Sequence, residues 1–126
     1  MAEIKSIFFW RAVLAEFLGV SLYVALVLGV VLSWDVNNAD AQLRIALCFG
    51  LSLSCISYMF FPSSGGHINP AVTIASVICR RISILRALFY IIVQCGGGNI
   101  PYSMLLLVIW AGGYCRSRKT EWAESA

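Results

Sequence analysis

The sequence predicts an all-α, polytopic membrane protein with about three spanning helices and one re-entrant half-helix. Three observations carry that expectation. Of the 126 residues, 60% are hydrophobic and 12% are charged, whereas soluble domains run at about 45–50% apolar and about 25% charged. Mean hydropathy is +0.85. The apolar residues gather in runs about as long as the roughly 20 residues that cross a bilayer as a helix. So little charge leaves too little polar surface for a soluble enzyme or a disordered tail. The net charge of +3, nine Lys/Arg against six Asp/Glu, is too small to hold a nucleic-acid partner.

Residues 1–11 read as a short charged head. Residues 12–34 are apolar except for Glu16, about 23 positions, enough to span with some tilt. A cleaved signal peptide is disfavoured, because Leu32-Ser33-Trp34 is not a small-residue cleavage site and the run is too long. A carboxylate inside a spanning helix is costly and marks Glu16 for a structural or pore role. Residues 35–42 (DVNNADAQ) are turn formers and predict a loop. Residues 43–61 form the second spanning candidate, with Arg44 at its mouth.

Pro62-Ser63-Ser64-Gly65-Gly66-His67 is expected to break that helix. The charge-free stretch nevertheless continues through residue 79, about 35 positions from residue 45, too long for one helix across roughly 30 Å of hydrocarbon. Residues 70–79 (PAVTIASVIC) are too few to cross, so they read as a re-entrant half-span. Irregular backbone at membrane depth survives only inside protein or against a watery cavity. Function is expected there. Arg80-Arg81 returns the chain to an interface, and Ser83 is a suitable N-cap for a third span from about Ile84 to Cys95. Gly96-Gly97-Gly98-Asn99-Ile100-Pro101 is expected to interrupt that span. Residues 102–114 are apolar again, and 116–126 read as a polar tail, disordered if solvated.

The five cysteines, Cys48, Cys55, Cys79, Cys95 and Cys115, are odd in number and sit mostly in apolar runs, a poor disulfide framework. They read as small packing residues or free thiols. Their spacing suggests no metal. An inside N-terminus puts Lys5, Arg11, Arg80, Arg81 and Arg86 in the cytosol, as cationic loops prefer. It also puts Arg44, Arg116, Arg118 and Lys119 outside, so the bias is weak.

Asn69-Pro70-Ala71 opens the half-span. Proline suits the first helical position, where its missing N–H costs nothing. Asn69 then caps the helix, its side-chain oxygen accepting a backbone N–H. That leaves the amide NH2 free to donate. A helix N-terminus also carries about +0.5 charge. A donor with a positive dipole near the midplane suits a water oxygen and repels cations. Gly65, Gly66, His67 and Ile68 approach this point in a non-helical path whose carbonyls can accept bonds from permeating molecules.

The run Ser-Gly-Gly-His-Ile-Asn-Pro-Ala-Val-Thr (64–73) resembles the first signature loop of the aquaporins, the major intrinsic protein family. Phe9-Trp10-Arg11-Ala12 and Ala15-Glu16-Phe17 resemble the family's first helix, Phe49-Gly50-Leu51 its second, and Ser83-Ile84-Leu85-Arg86-Ala87 through Tyr90 and Gln94-Cys95 its third. The likeness covers roughly residues 8–95, about 70% of the chain, and is closest to the water-selective branch. It implies half of an inverted-repeat channel that passes water or small neutral solutes without chemistry or cofactor. Asn69 then matches the amide donor of the first Asn-Pro-Ala box. Phe49 matches the aromatic of the selectivity constriction. Glu16 matches the buried carboxylate that braces the loop, Gln94 a supporting glutamine, and His67 a position whose carbonyl faces the pore. The resemblance further implies homo- or hetero-oligomers with aquaporin-family subunits in the bilayer of the plasma membrane.

The family's second half-helix, and the constriction arginine and histidine that go with it, have no counterparts here. Phe60-Phe61-Pro62-Ser63 stands where the family has a Gly-His-containing turn. Two units are therefore expected: residues 1–95 as an aquaporin-like first half-repeat, and 96–126 as a divergent apolar segment with a polar tail. Such an edge reads as a truncated or alternatively ended product or a mispredicted gene model, and the chain as either a half-channel or a non-conducting chain that pairs with full-length subunits.

Overall fold

The computed structural model describes residues 3–33 and 39–124, with backbone alone for 33, 39 and 111–124. A 3-10 turn, Glu3–Lys5, leads into four helices: α1 Ile7–Ser33, α2 Ala39–Ser64, α3 Pro70–Ile78 and α4 Ile84–Glu124. Three of them, over Ile7–Leu32, Asp40–Ser64 and Ile84–Trp110, are long and apolar enough to cross a membrane. The fourth, α3, has nine residues, about 14 Å at 1.5 Å per residue, half a hydrocarbon core. The expected class is the observed one: an integral membrane bundle of three spans and one half-helix.

The first helix is the central element and packs against both α2 and α4, while α3 packs on α4. Two clusters make the core. Phe9, Ala12 and Val13 of α1 meet Tyr90 of α4. Val20 of α1 meets Ile56 of α2 and Ile68 of the loop before α3. Burial here is confined to seams between helices. Leu43, Leu47, Leu51, Tyr58 and Phe61 on α2, and Ile92, Met104 and Leu107 on α4, are all exposed. These faces suit a hydrocarbon solvent, not water.

Several boundaries depart from expectation. The charged head is not separate from the first span: α1 starts at Ile7 and carries Arg11. The Trp10 indole N–H donates to the Ile4 carbonyl at 2.8 Å and fastens the head to the helix. Of the expected loop, residues 35–38 lie outside those described, and 39–42 are already the first turn of α2.

Pro62 does not end α2, which runs to Ser64. A proline there removes only the bond to the Tyr58 carbonyl. The turn is held from outside, since the Tyr90 hydroxyl donates to the Ser64 carbonyl at 2.9 Å and Gly65 N–H closes on the Phe61 carbonyl at 2.9 Å. The chain then leaves the helix through Gly65 and Gly66, both with positive φ, 91° and 59°.

Nor does Gly96–Pro101 interrupt α4, a single helix of 41 residues. Pro101 cannot donate to the carbonyl four residues back, which is that of Gly97. The Ser21 hydroxyl of α1 lies 2.8 Å from the Phe17 carbonyl and 3.0 Å from that of Gly97, so the neighbouring helix shares its one proton with the acceptor that the proline leaves open. Gly97 permits the approach: a Cβ there would lie 2.7 Å from the Phe17 carbonyl oxygen. The polar stretch from Arg116 continues α4 to Glu124. No glycine or proline follows Gly113 to stop it.

The half-helix is bounded as its sequence predicts at the N-terminus, with Asn69 as cap and Pro70 at the first position. Its C-terminus is a Schellman motif. Arg80 N–H bonds the Val77 carbonyl at 2.8 Å and Arg81 N–H the Ser76 carbonyl at 2.9 Å. Arg80 takes the left-handed position at φ 55°, where glycine is usual and a side chain costs roughly 1 kcal/mol. Ser83 caps α4: its hydroxyl accepts from Arg86 N–H at 3.2 Å.

Candidate functional site

Glu16 is completely buried, yet it sits among donors alone. One oxygen, Oε1, accepts from the Ser64 hydroxyl at 2.6 Å and from His67 N–H at 2.9 Å. The other, Oε2, accepts from Ile68 N–H at 2.7 Å and from Gln94 Nε2 at 2.8 Å. A carboxylate offers acceptors only, two per oxygen in this arrangement. Four donors from three different segments therefore meet one side chain on α1. The cost of burying it is offset by these bonds.

Gln94 of α4 extends the network. Its amide nitrogen also donates to Thr73 Oγ1 at 3.0 Å. Thr73 in turn donates to the Asn69 carbonyl at 3.1 Å and lies 3.2 Å from His67 Nδ1. The His67 ring packs edge-on against Tyr90, centroids 5.5 Å apart. Glu16, Gln94, Thr73 and Ser64 thus form one buried polar unit joining α1, α2, α3 and α4. Among the described residues, no buried side-chain polar atom lacks a partner.

The loop's backbone orientation follows from that unit. Gly66 N–H donates to the Ser64 hydroxyl at 3.1 Å, and the next two N–H groups go to Glu16. All peptide bonds described are trans, so each carbonyl points opposite to the N–H of the following residue. The carbonyls of Gly66 and His67 are thereby turned away from Glu16, and that of Gly65 away from the Ser64 hydroxyl. Among the described residues, they and the Ile68 carbonyl accept no hydrogen bond. Gly66 is required as glycine by space as well as by φ, since a Cβ would collide with the Ser57 carbonyl.

Asn69 follows these carbonyls. Its Oδ1 accepts from Ala71 N–H at 2.8 Å, and its amide nitrogen has no partner among the described residues. Asn69 and Ala71 are exposed and Pro70 is half-buried. Carbonyls that accept no hydrogen bond among the described residues, a free amide donor and a helix N-terminus therefore follow one another along one strip of chain. Phe49 is not part of it. That residue lies on α2 about 22 Å along the axis from Ser64, at 1.5 Å per residue. It is 42% exposed, and its ring meets Tyr23 edge-on at 6.4 Å.

Ser64 and Thr73 were not singled out as site residues by sequence reasoning. Both were visible as hydroxyl residues bracketing the loop, and Thr73 stands four positions after Asn69. What the sequence did not show is that each hydroxyl is aimed at Glu16 or Gln94. Cys48, Cys55, Cys79 and Cys95 are free thiols, the side chain of Cys115 lying outside those described. No cluster of metal ligands occurs among the described residues.

Comparison with known proteins gives the family. The sequence profile described as "Major intrinsic protein" matches residues 3–124, and so runs past residue 95, the expected edge of the first half-repeat. Aquaporin-4 of Bos taurus is 48% identical over 105 residues, covering 79% of this chain and 32% of that protein. Aquaporin-4 of Homo sapiens is 46% identical over 103 residues, with the same coverage of 79% and 32%. Aquaporin-1 of Rattus norvegicus is 40% identical over 110 residues, covering 82% of this chain and 41% of that protein. The chain spans about a third of the length of the aquaporin-4 relatives it matches. With that profile running across nearly all its residues, and with three spans around a capped half-helix, this chain belongs to the major intrinsic protein family.

Proposed function

We propose that the chain supplies one half of a passive water pore. The observation that carries the reading is the strip from Gly65 to Asn69. Carbonyls turned outward by the grip of Glu16 on the loop's N–H groups are followed by the unpartnered Asn69 amide. Water moving in single file needs acceptors for its hydrogens and then a donor for its oxygen, in that order along one wall. The N-terminus of α3 adds a positive field that disfavours cations. Gly65, Gly66, His67 and Ile68 form the acceptor ladder, and Asn69 the donor, with Pro70 and Ala71 fixing the helix start. Phe49 narrows the path at a separate level. Glu16 and Gln94 hold the loop without touching water.

A wall is not a tube. The other wall comes from a second half-helix, whether joined to this one or on another subunit, and the proposal places the assembly in the plasma membrane. A second reading, that the chain pairs with other aquaporin-family subunits and modulates them without conducting, is favoured by the single half-helix among the described residues. Osmotic swelling of vesicles separates the two. Vesicles holding this chain with a complementary second half should swell faster than empty ones, and Asn69→Asp should slow them. If swelling stays at the lipid background, the pore reading fails. If the chain instead alters the swelling of a full-length aquaporin co-reconstituted with it, the modulatory reading holds.

A further inference from the structure

Between α3 and α4 lies a trough of about 250 Å³. Ile74, Val77 and Ile78 form one wall, and Ile84, Leu88 and Ile91 the other. It is open on one side: Ile74, Ile78, Ile84 and Leu88 are all more than half exposed. The two walls are joined by the turn 79–83, which therefore closes one end of the trough. That turn carries Arg80 and Arg81, both exposed. Among the described residues, neither guanidinium has a hydrogen-bond or ion-pair partner. The nearby carboxylate, Glu3, is already engaged by the Ser83 hydroxyl at 2.8 Å and faces Arg86 at 4.0 Å.

We infer that this trough and turn bind one anionic phospholipid, with an acyl chain between α3 and α4 and the phosphate on Arg80 and Arg81. The occupant is set by complementarity at both ends. A hydrocarbon-walled slot open on one side takes a chain of methylenes. Two unpaired guanidiniums at its interfacial end suit a phosphate, which arginine binds through a planar fork of donors. A left-handed position filled by arginine where glycine is the easier residue keeps both cations on one tight turn. Clustered basic residues beside a membrane segment favour acidic lipids. Here the C-terminal half of α3 set against the start of α4 makes the slot that renders the site particular. Lys5 and Arg11, elsewhere on the same end of the bundle, are not part of it.

The test uses the full chain in mixed micelles with equal amounts of phosphatidylglycerol and phosphatidylcholine of identical acyl chains, followed by native mass spectrometry of retained lipid. The parent should retain phosphatidylglycerol about tenfold over phosphatidylcholine at low salt, with the preference shrinking as salt rises. The double variant Arg80→Gln/Arg81→Gln should fall to near parity, and Arg80→Lys/Arg81→Lys should recover part of the preference. Ile78→Gln, which makes the slot polar and leaves the cations, should reduce total retained lipid. Lys5→Gln/Arg11→Gln should leave the preference unchanged. Equal retention of both lipids by the parent overturns the proposal. So does an equal loss in the Lys5/Arg11 variant, which would mean a diffuse field. Millimolar inorganic phosphate abolishing the preference without loss of total lipid would mean a phosphate site rather than a lipid site. A dimer that excludes lipid altogether would mean that a second copy fills the trough. Circular dichroism of each variant guards against unfolding.

Discussion

Glu16 decides which way the loop faces. Its four donors arrive from Ser64, His67, Ile68 and Gln94, and a neutral amide in its place would turn one acceptor oxygen into a donor. Glu16→Gln then sets an NH2 group against N–H or O–H groups that need an acceptor. Charge-assisted bonds are also exchanged for neutral ones. The expected outcome is a loss of about 1–3 kcal/mol, read as earlier unfolding when a denaturing detergent is titrated into mild micelles. Parent-like unfolding would mean that the network does not hold the fold. Asn69→Asp tests the other side of the loop. The aspartate keeps an acceptor for Ala71 N–H and still suits a helix N-terminus, so stability should hold. The amide donor is gone, and a negative charge stands where the half-helix field was positive. In any assembly that conducts, water flux should fall and cation leak should rise. Equal flux at equal protein per vesicle would remove Asn69 from the path.

At the scale of elements, the seam between α1 and α4 is the most specific contact in the bundle. Gly97 lets α4 approach the Phe17 carbonyl, and Ser21 reaches across to the carbonyl that Pro101 leaves without a donor. Gly97→Ala should force the helices apart and destabilise by about 1–3 kcal/mol, whereas Gly96→Ala, which meets nothing within 4 Å, should be neutral or mildly stabilising through helix propensity. Ser21→Ala should cost about 0.5–1.5 kcal/mol. Measuring the three side by side checks the seam: equal effects at Gly96 and Gly97 would contradict it. The same seam explains what the sequence concealed. A Gly-Gly-Gly-Asn-Ile-Pro run is a breaker by local preference, yet here it packs as helix against α1, where Phe17 and Ser21 meet Gly97. The break expected over residues 62–67 falls at Gly65 rather than at Pro62, where Tyr90 from α4 binds the Ser64 carbonyl. Local signals were sufficient where the cap is local: Asn69-Pro70 starts α3 and Ser83 starts α4 as read. The loop's function-bearing residues were legible because glycines, a cap and a half-length helix are all sequence features. Ser64 and Thr73 were less so, because their importance lies in what they touch.

At the scale of these 126 residues, the question is what the one half-helix among the described residues can do. A pore of the proposed kind needs two such helices entering from opposite leaflets, their N-termini meeting near the midplane. Two copies of this chain inserted the same way round put both half-helices in one leaflet and leave the other without a donor. Only an antiparallel pair supplies both walls. The cationic residues do not forbid dual insertion: five lie on the N-terminal side of the bundle and four are divided between the 35–44 region and the segment from Arg116. Yet two helix N-termini facing each other across the midplane repel, and no described contact in this chain is shaped to offset that. The exposed faces of α2 and α4 are apolar and unspecific, content with lipid. These 126 residues reconstituted alone should therefore raise water flux no further than empty vesicles do, even with the Glu16 network intact. Swelling measured by light scattering checks the flux, and glycosylation tags at each end check the insertion. A mixed orientation together with measurable flux would show that the antiparallel pair forms. A single orientation with background flux is the expected result, and it would make the second half-helix the missing component of the pore.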